Sequence, residues 1–198
     1  MKVEPALSEH WADVAGRIDR KAFERGVRPR FPVWFGNAVL VAGTAVGAGA
    51  IVFALRTTDR TLAGVALVAS AAILTTSLHD LAHWLIGRLV GIQFTSYFIG
   101  GPIPPSPGIK TDYATYLRTP PEERALMHAS GAVASKLAPF VSLAFWPASG
   151  APAWAAWAIA AIGVGQIVTD VLFSTKSSDW KKVRRERNVA WAQHARRV

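Results

Sequence analysis

The sequence predicts an all-α polytopic membrane protein with about four transmembrane helices, and a short β or re-entrant segment between the second and third helices. Of the 198 residues, 51% are hydrophobic and 18% are charged. The charges are segregated, because residues 31–55, 61–78 and 137–169 contain no Asp, Glu, Lys or Arg. A soluble protein distributes charge along its amphipathic helices, whereas a bilayer excludes charge from the spans.

The net charge of +9 lies mainly at the two ends of the chain. Residues 176–198 contain eight basic and two acidic residues, and residues 1–30 contain seven basic and five acidic ones. Basic residues that flank spans mark the cytoplasmic side, so we interpret the charge as a topology signal and not as nucleic-acid binding. Both termini are therefore expected in the cytoplasm, which requires an even number of spans. Contact of the basic tail with lipid headgroups of the bilayer is compatible with this topology.

The elements follow in order along the chain. Residues 1–30 form a cytoplasmic segment in which helical periodicity predicts an amphipathic helix at 6–25. This helix is expected either on the membrane surface or against the protein's own cytoplasmic face. The transmembrane domain covers residues 31–176, and residues 177–198 are a basic cytoplasmic tail that is helical from Asp179. The first 30 residues lack the apolar region of a cleavable signal peptide.

Four spans are predicted within the transmembrane domain, near residues 33–55, 61–90, 125–147 and 153–174, since each is long and apolar enough to cross a bilayer. Alternation of apolar and polar residues predicts a short strand at 92–99. The proline- and glycine-rich residues 100–108 fit neither a helix nor a central strand. This stretch is either a re-entrant loop or an ordinary cytoplasmic loop.

The second span contains the most informative residues, His79-Asp80-Leu81-Ala82-His83. Residues i and i+4 share one helix face, so both imidazoles can bind one metal ion. Ionisable residues inside a span are costly and indicate function, although a polar cluster between helices is the alternative. The chain has no cysteine, so a transition-metal site must use His, Asp or Glu, and these ligands suit Zn²⁺.

A catalytic zinc site needs a third protein ligand and one open position. Depth in the membrane nominates Asp170, because it lies about as far from the cytoplasmic boundary as the two histidines. The alternative role for Asp170 is an ion pair with Lys136 across the bundle. Asp179 is the second candidate for the third ligand, although it lies at or beyond the interface.

Three stretches of the sequence resemble the motifs of the site-2 proteases, a family of intramembrane zinc metalloproteases. His79–His83 is similar to that family's H-E-x-x-H motif, with Asp80 in place of Glu. Residues 131–135, Gly-Ala-Val-Ala-Ser, loosely resemble its glycine-containing motif, with Ser135 where the family usually has Asn. Residues 178–183 resemble its Leu-Asp-Gly motif without the glycine. By this resemblance Asp179 is the third zinc ligand, and Asp170 lies near a family Asn that shapes the site.

The resemblance implies peptide hydrolysis of a transmembrane protein substrate, with Asp80 as the general base. Candidate oxyanion donors are His128, Ser135 and Lys136, and the strand at 92–99 is expected to bind an unwound substrate by edge addition. Two alternatives stay open. One is a catalytically inactive relative that binds a partner transmembrane helix, which the change from Glu to Asp80 favours. The other is a metal-binding membrane carrier, and no feature of the sequence specifies an oligomeric state.

Overall fold

The structure, a computed structural model, describes residues 5–100, 106–172 and 178–195. Helices predominate in this part of the chain: α1 (Pro5–Gly26), α2 (Val33–Arg56), α3 (Arg60–Leu89), α4 (Tyr113–Arg118), α5 (Pro121–Ala144), α6 (Trp146–Ser149), α7 (Ala153–Leu172) and α8 (Asp179–Ala195). The strands are β1 (Arg30–Phe31), β2 (Phe94–Gly100) and β3 (Ser106–Thr111). The predictions of a helix at 6–25 and a strand at 92–99 are confirmed as α1 and β2.

Three helices of the described chain, α2, α3 and α7, are long and apolar enough to cross a membrane. They correspond to the predicted spans near 33–55, 61–90 and 153–174. Large apolar side chains on the outside of the bundle, such as Trp34, Val46 and Trp157, are more than half exposed. Exposed apolar surface on this scale is typical of contact with lipid. The fourth predicted span, 125–147, coincides with most of α5, which carries charged residues in its first turn.

Helix α3 lies at the centre of the bundle and packs against α2, α5 and α7. The buried core combines apolar residues with hydroxyls that join the helices. Ser70 is fully buried, and its Oγ donates to the Gly47 carbonyl at 2.8 Å and lies 3.2 Å from Ser142 Oγ. Such bonds between helices are favoured where no water competes. They fix α3 against α2 and α5 in the half of the helix that precedes the histidines.

Local signals set where α3 and α5 begin. Asp59 caps α3, because its Oδ1 accepts from the backbone N–H groups of Thr61 at 2.8 Å and Leu62 at 3.0 Å. Helix α5 begins with a proline at its first position, followed by Glu122 and Glu123 in the first turn. Proline is preformed for that position, and acids there are favoured by the helix dipole. The second half of α3 lies alongside the first half of α5, and the candidate site is found between them.

The three strands form one antiparallel sheet in the order β1-β2-β3. Arg30 pairs with Phe98 on one side of β2, and Tyr97 pairs with Ile109 on the other. Because β2 is paired on both sides at Tyr97 and Phe98, the expectation that it binds substrate by edge addition is wrong at these two residues. Strand β3 is an edge strand, which explains how it accommodates Pro107. Residues 101–105 of the predicted loop lie outside the described residues.

Helix α1 packs against α4, and ion pairs tie it to α4 and β3. Asp13 pairs with Arg118 at 2.7 Å, and Asp19 pairs with Lys110 at 2.6 Å. Trp11 and Ile18, by contrast, are 58% and 65% exposed. Helix α1 thus packs on the protein through one face and leaves apolar side chains on another.

The predicted helix of the tail is present as α8, but it is not a free extension. It packs along α5, and two of its residues, Glu186 and Ala190, are buried. Asp179, the first residue of α8, lies beside the histidines of α3. The tail is therefore part of the folded domain and contributes directly to the candidate site.

Candidate metal centre

The two histidines of α3 and the first residue of α8 converge on one point. His79 Nε2 lies 3.3 Å and His83 Nε2 lies 3.2 Å from the same carboxylate oxygen, Asp179 Oδ2. The potential ligand atoms of the three residues all lie within 4.8 Å of one another. Among the residues that the structure describes, this group could hold a metal ion.

The other ring nitrogen of each imidazole fixes its orientation. His79 Nδ1 lies 3.0 Å from the Gly131 carbonyl oxygen, and His83 Nδ1 lies 2.7 Å from the Met127 carbonyl oxygen. A carbonyl only accepts, so each Nδ1 carries the proton, and in the neutral ring Nε2 presents its lone pair to Asp179. This is the usual outer support of a metal-binding histidine, since it sets both the tautomer and the ring direction.

The donor set fits zinc. Two neutral imidazoles and a carboxylate would direct three electron-pair donors at one point, and a cation there offsets their mutual repulsion. Two histidines and one acid form the protein ligands of a common class of catalytic zinc site that keeps a fourth position open. Burial alone raises the pKa of Asp179, but in the metal-free site hydrogen bonds donated by the imidazole Nε2–H groups and the charge of the Lys182 ammonium lower it by more, to well below its ordinary range. A bound metal ion would take the place of those Nε2 protons. Asp179 is therefore ionised, as a metal ligand must be.

Gly131 leaves the space that the His83 ring occupies. A Cβ at this position would lie 2.3 Å from His83 Nε2 and 2.5 Å from its Cδ2. Both distances are far below a van der Waals contact. The glycine of the sequence stretch 131–135 is thus explained by packing: α5 approaches α3 so closely that only hydrogen fits against the imidazole.

Asp80 lines the same cleft as the three ligand candidates. The cleft has a volume of about 740 Å³, and its walls come from α1, α3, α4, α5, α7, α8 and the sheet. Asp80 is 7% exposed. Its carboxylate is therefore largely buried, in the wall of the cleft that also holds the three ligand candidates.

The geometry favours Asp179 over Asp170 as the third ligand. Asp170 lines the same cleft, but its Oδ2 lies 2.6 Å from Lys136 Nζ, in the ion pair that was its alternative role. It does not belong to the group of converging ligands. Asp170 was the first candidate for the third ligand because the ligand was expected to lie within a span, at the depth of the histidines. Instead, α8 brings Asp179 back to the depth of His83.

The three predicted oxyanion donors are already engaged. Ser135 Oγ donates to the Gly131 carbonyl at 3.0 Å and lies 3.3 Å from His79 Nδ1, on the side of the ring away from Asp179. Lys136 is paired with Asp170. His128 Nε2 lies 3.1 Å from the Tyr116 hydroxyl. Ser135 therefore supports the His79 ring, and it does not point to the cleft.

His128 is oriented by a chain of hydrogen bonds that sequence reasoning missed. The Tyr116 hydroxyl donates to Glu186 Oε1 at 2.9 Å, so His128 Nε2 is the donor to the Tyr116 oxygen. Its Nδ1, which lies 3.9 Å from Asp179 Oδ1, is then an acceptor in the neutral ring. Burial raises the pKa of Tyr116 to about 12, with a further contribution from the charge of Glu186. The phenol is neutral at physiological pH and keeps its proton for Glu186.

A cation that the sequence did not single out lies at the site. Lys182 Nζ is 3.0 Å from Asp179 Oδ1, the oxygen that does not face the imidazoles, and Lys182 lines the cleft. The spacing of three residues on α8 places both side chains on one face. That spacing was the available signal, but the surrounding run of basic residues indicated only a solvated tail.

Comparisons of the chain with protein-family models, with curated proteins and with solved structures found no match.

Proposed function

We propose that this chain is an intramembrane zinc metalloprotease of the site-2 type, which hydrolyses peptide bonds of transmembrane protein substrates. One observation carries the proposal: the Nε2 atoms of His79 and His83 lie 3.3 and 3.2 Å from Asp179 Oδ2. A carboxylate that can serve as base, Asp80, lies in the same cleft. When bound, zinc supplies Lewis acidity that makes water more acidic and polarises a carbonyl.

Asp80 acts as the general base and accepts a proton from the attacking water. Its carboxylate is one methylene shorter than glutamate, a difference of about 1.5 Å in reach. Hydrogen-bond distance to the water, or one bridging water, satisfies the geometric requirement for a base. Asp80 lines the same cleft as both imidazoles, which supports this role.

Lys182 joins His128, Ser135 and Lys136 as a candidate to stabilise the negative charge that develops on the scissile carbonyl. It already lies 3.0 Å from Asp179 and lines the cleft. Preorganised positive charge in a site with little water is an effective way to lower such a barrier.

The substrate lies extended along β3. A peptide bond in a helix is shielded, so the substrate must unwind before hydrolysis. Strand β3 is an edge strand, and Ile109 and Lys110 line the same cleft as His79 and Asp80. Addition of the substrate as a further strand places main-chain hydrogen bonds beside the catalytic residues.

The topology that fits this function has four spans, with α5 as the fourth crossing helix and both termini in the cytoplasm. The charge at both ends of the chain supports this orientation. In this arrangement the metal centre lies near the cytoplasmic end of the bundle. Reporter fusions at residues 1 and 198 should both report the cytoplasm, and opposite sides would contradict the topology.

An inactive relative that binds a partner transmembrane helix is the second candidate, favoured by the shorter reach of Asp80. A metal carrier has less support, because the histidines and carboxylates that could bind a metal cluster at one depth of the described bundle. Cleavage of candidate membrane-protein substrates by the purified protein in liposomes separates these functions. We expect cleavage that is abolished by a zinc chelator, restored by Zn²⁺ and lost in His79→Ala, His83→Ala. Tight zinc binding without any cleavage, including by Asp80→Glu, would favour the inactive relative.

A further inference from the structure

We propose that Glu186 is a positioning residue for the metal centre: it anchors α8 in a buried charge cluster and thereby holds Asp179 against the two imidazoles. The inference rests on the proposed function only in taking Zn²⁺ as the metal. The cluster lies outside the ligand group and outside the motifs that the sequence singled out.

Glu186 is 3% exposed, although it carries a carboxylate. Its Oε2 lies 3.0 Å from Arg124 Nη2 of α5, and its Oε1 accepts from the Tyr116 hydroxyl of α4 at 2.9 Å. Arg124 is also buried, at 8% exposure, and its guanidinium lies 5.0 Å from the centre of the Tyr116 ring. Buried charges are retained where they are paired, so the cluster specifies one docked position of α8.

Helix geometry transmits that position to the metal site. Glu186 follows Asp179 by seven residues, which is close to two turns, so both carboxylates lie on the same face of α8 about 10.5 Å apart along the axis. Glu186 fixes this face to α4 and α5, while Asp179 points to α3. Asp179 and Glu186 are the two acids of α8, and its other charged residues are basic. Both acids are directed into the protein.

The cluster also reaches the site laterally. The Tyr116 oxygen that donates its proton to Glu186 accepts from His128, whose other nitrogen lies 3.9 Å from Asp179 Oδ1. Docking of α8 therefore sets Asp179 through the helix, and the Tyr116–His128 pair forms the wall beside it. Loss of the Glu186 contacts, which anchor α8, should leave the chemistry of all three ligands intact. It should change only the fraction of molecules in which Asp179 lies against the two imidazoles.

The first test is the affinity for Zn²⁺, measured by competition with a chromophoric chelator. Glu186→Gln keeps the shape of the side chain but leaves Arg124 buried without its counter-charge. We expect a dissociation constant for Zn²⁺ about 10–100-fold higher than in the parent, the usual effect of removing an outer support of a metal ligand. Glu24→Gln is the matched control, because it removes an acid from an exposed ion pair on α1 and should change the constant less than about twofold.

The second test follows α8 itself in the metal-free protein. The chain has no cysteine, so Asn188→Cys, at an exposed position of α8, provides a single site for a spin label. Glu186→Gln should increase the mobility of this label, and saturating Zn²⁺ should reduce it again, because anchor and metal stabilise the same docked state. Tyr116→Phe removes only the hydroxyl and should shift both readouts in the same direction by less, which keeps the test valid if Glu186→Gln does not fold.

The outcomes separate the two proposals. If the parent binds no Zn²⁺ but the label is freed by Glu186→Gln, the anchor stands and the zinc function falls. If the parent binds Zn²⁺ and Glu186→Gln binds it equally well, Glu186 is not a positioning residue. Unchanged label mobility in the metal-free variant would overturn the anchor itself.

Discussion

Gly131→Ala tests the geometry of the metal centre through a single methyl group. The added Cβ would lie 2.3 Å from His83 Nε2, the nitrogen that faces Asp179. An ordinary contact begins at about 3.4 Å, so the imidazole must retreat by about 1 Å. The ring has little room, because His83 is 6% exposed and its Nδ1 is held 2.7 Å from the Met127 carbonyl.

A displacement of 1 Å exceeds the tolerance of a zinc bond, which is roughly 0.2 Å. We therefore expect Gly131→Ala to weaken Zn²⁺ binding by at least about tenfold and to remove proteolysis, and overpacking to cost about 1–3 kcal/mol of stability. Zinc content per chain after purification, with thermal unfolding of the same samples, measures both effects.

Gly49→Ala and Gly165→Ala are matched controls, since a Cβ at either helical position meets nothing within 4 Å. Both variants should retain the zinc content of the parent. If Gly131→Ala also retains the zinc content and the zinc affinity of the parent, then His83 is not held against Gly131 as described. The geometry given for the metal centre is then wrong.

Three further predictions follow from the contacts of individual residues. Asp179→Asn should lower zinc affinity by about tenfold or more, whereas Asp170→Asn should change it less than about twofold. The reverse order in a chelator titration would show that Asp170, the residue nominated by depth in the membrane, is the third ligand. Asp80→Asn should retain zinc but slow proteolysis by about 10²–10⁴-fold, while Asp80→Glu should preserve or raise activity; equal cleavage by Asp80→Asn and the parent would exclude Asp80 as the base. Folding raises the pKa of Tyr116 from 10.0 to about 12, so its contribution to stability is present below pH 10 and is lost as the pH rises towards 12. Unfolding measured from pH 9 to 12 should show a loss of roughly 2–3 kcal/mol that is missing in Tyr116→Phe, and equal losses in both proteins would contradict the assignment.

The membrane helices were predictable because charge and hydropathy alone decide which segments enter a bilayer. The histidine pair was predictable for a similarly local reason, since the spacing of four residues fixes a shared helix face. The cap at Asp59 and the proline start of α5 are also local signals. In each case, the information lies within a few residues along the chain.

The sheet and the third ligand depend on contacts between distant residues. Strand β1 has only two residues, Arg30 and Phe31, and forms only because β2 offers a partner more than sixty residues later. Because β1 was not predicted, the strand at 92–99 was expected to have a free edge. Pairing between such separated segments leaves no periodic signal in either one.

The docking of α8 was not predicted, because the composition of this helix is that of a solvated tail. The information that it docks lies in two acids among basic residues, Asp179 and Glu186, at a spacing of seven residues. Their partners, His83 and Arg124, lie on other helices, so the pattern acquires meaning only once the fold brings them together. For the same reason, Gly131 could be matched to a motif but not to its task of leaving room for an imidazole.

X-ray absorption at the zinc edge of the purified, zinc-loaded protein identifies the ligands of the ion. We expect one zinc per chain with two imidazole nitrogens at about 2.0–2.1 Å and a carboxylate oxygen at about 2.0–2.2 Å. The imidazole signal should be reduced in His83→Ala and unchanged in Asp170→Asn. A chain that holds no zinc, or a zinc surrounded by oxygen alone, would contradict the assignment of His79, His83 and Asp179 as its ligands.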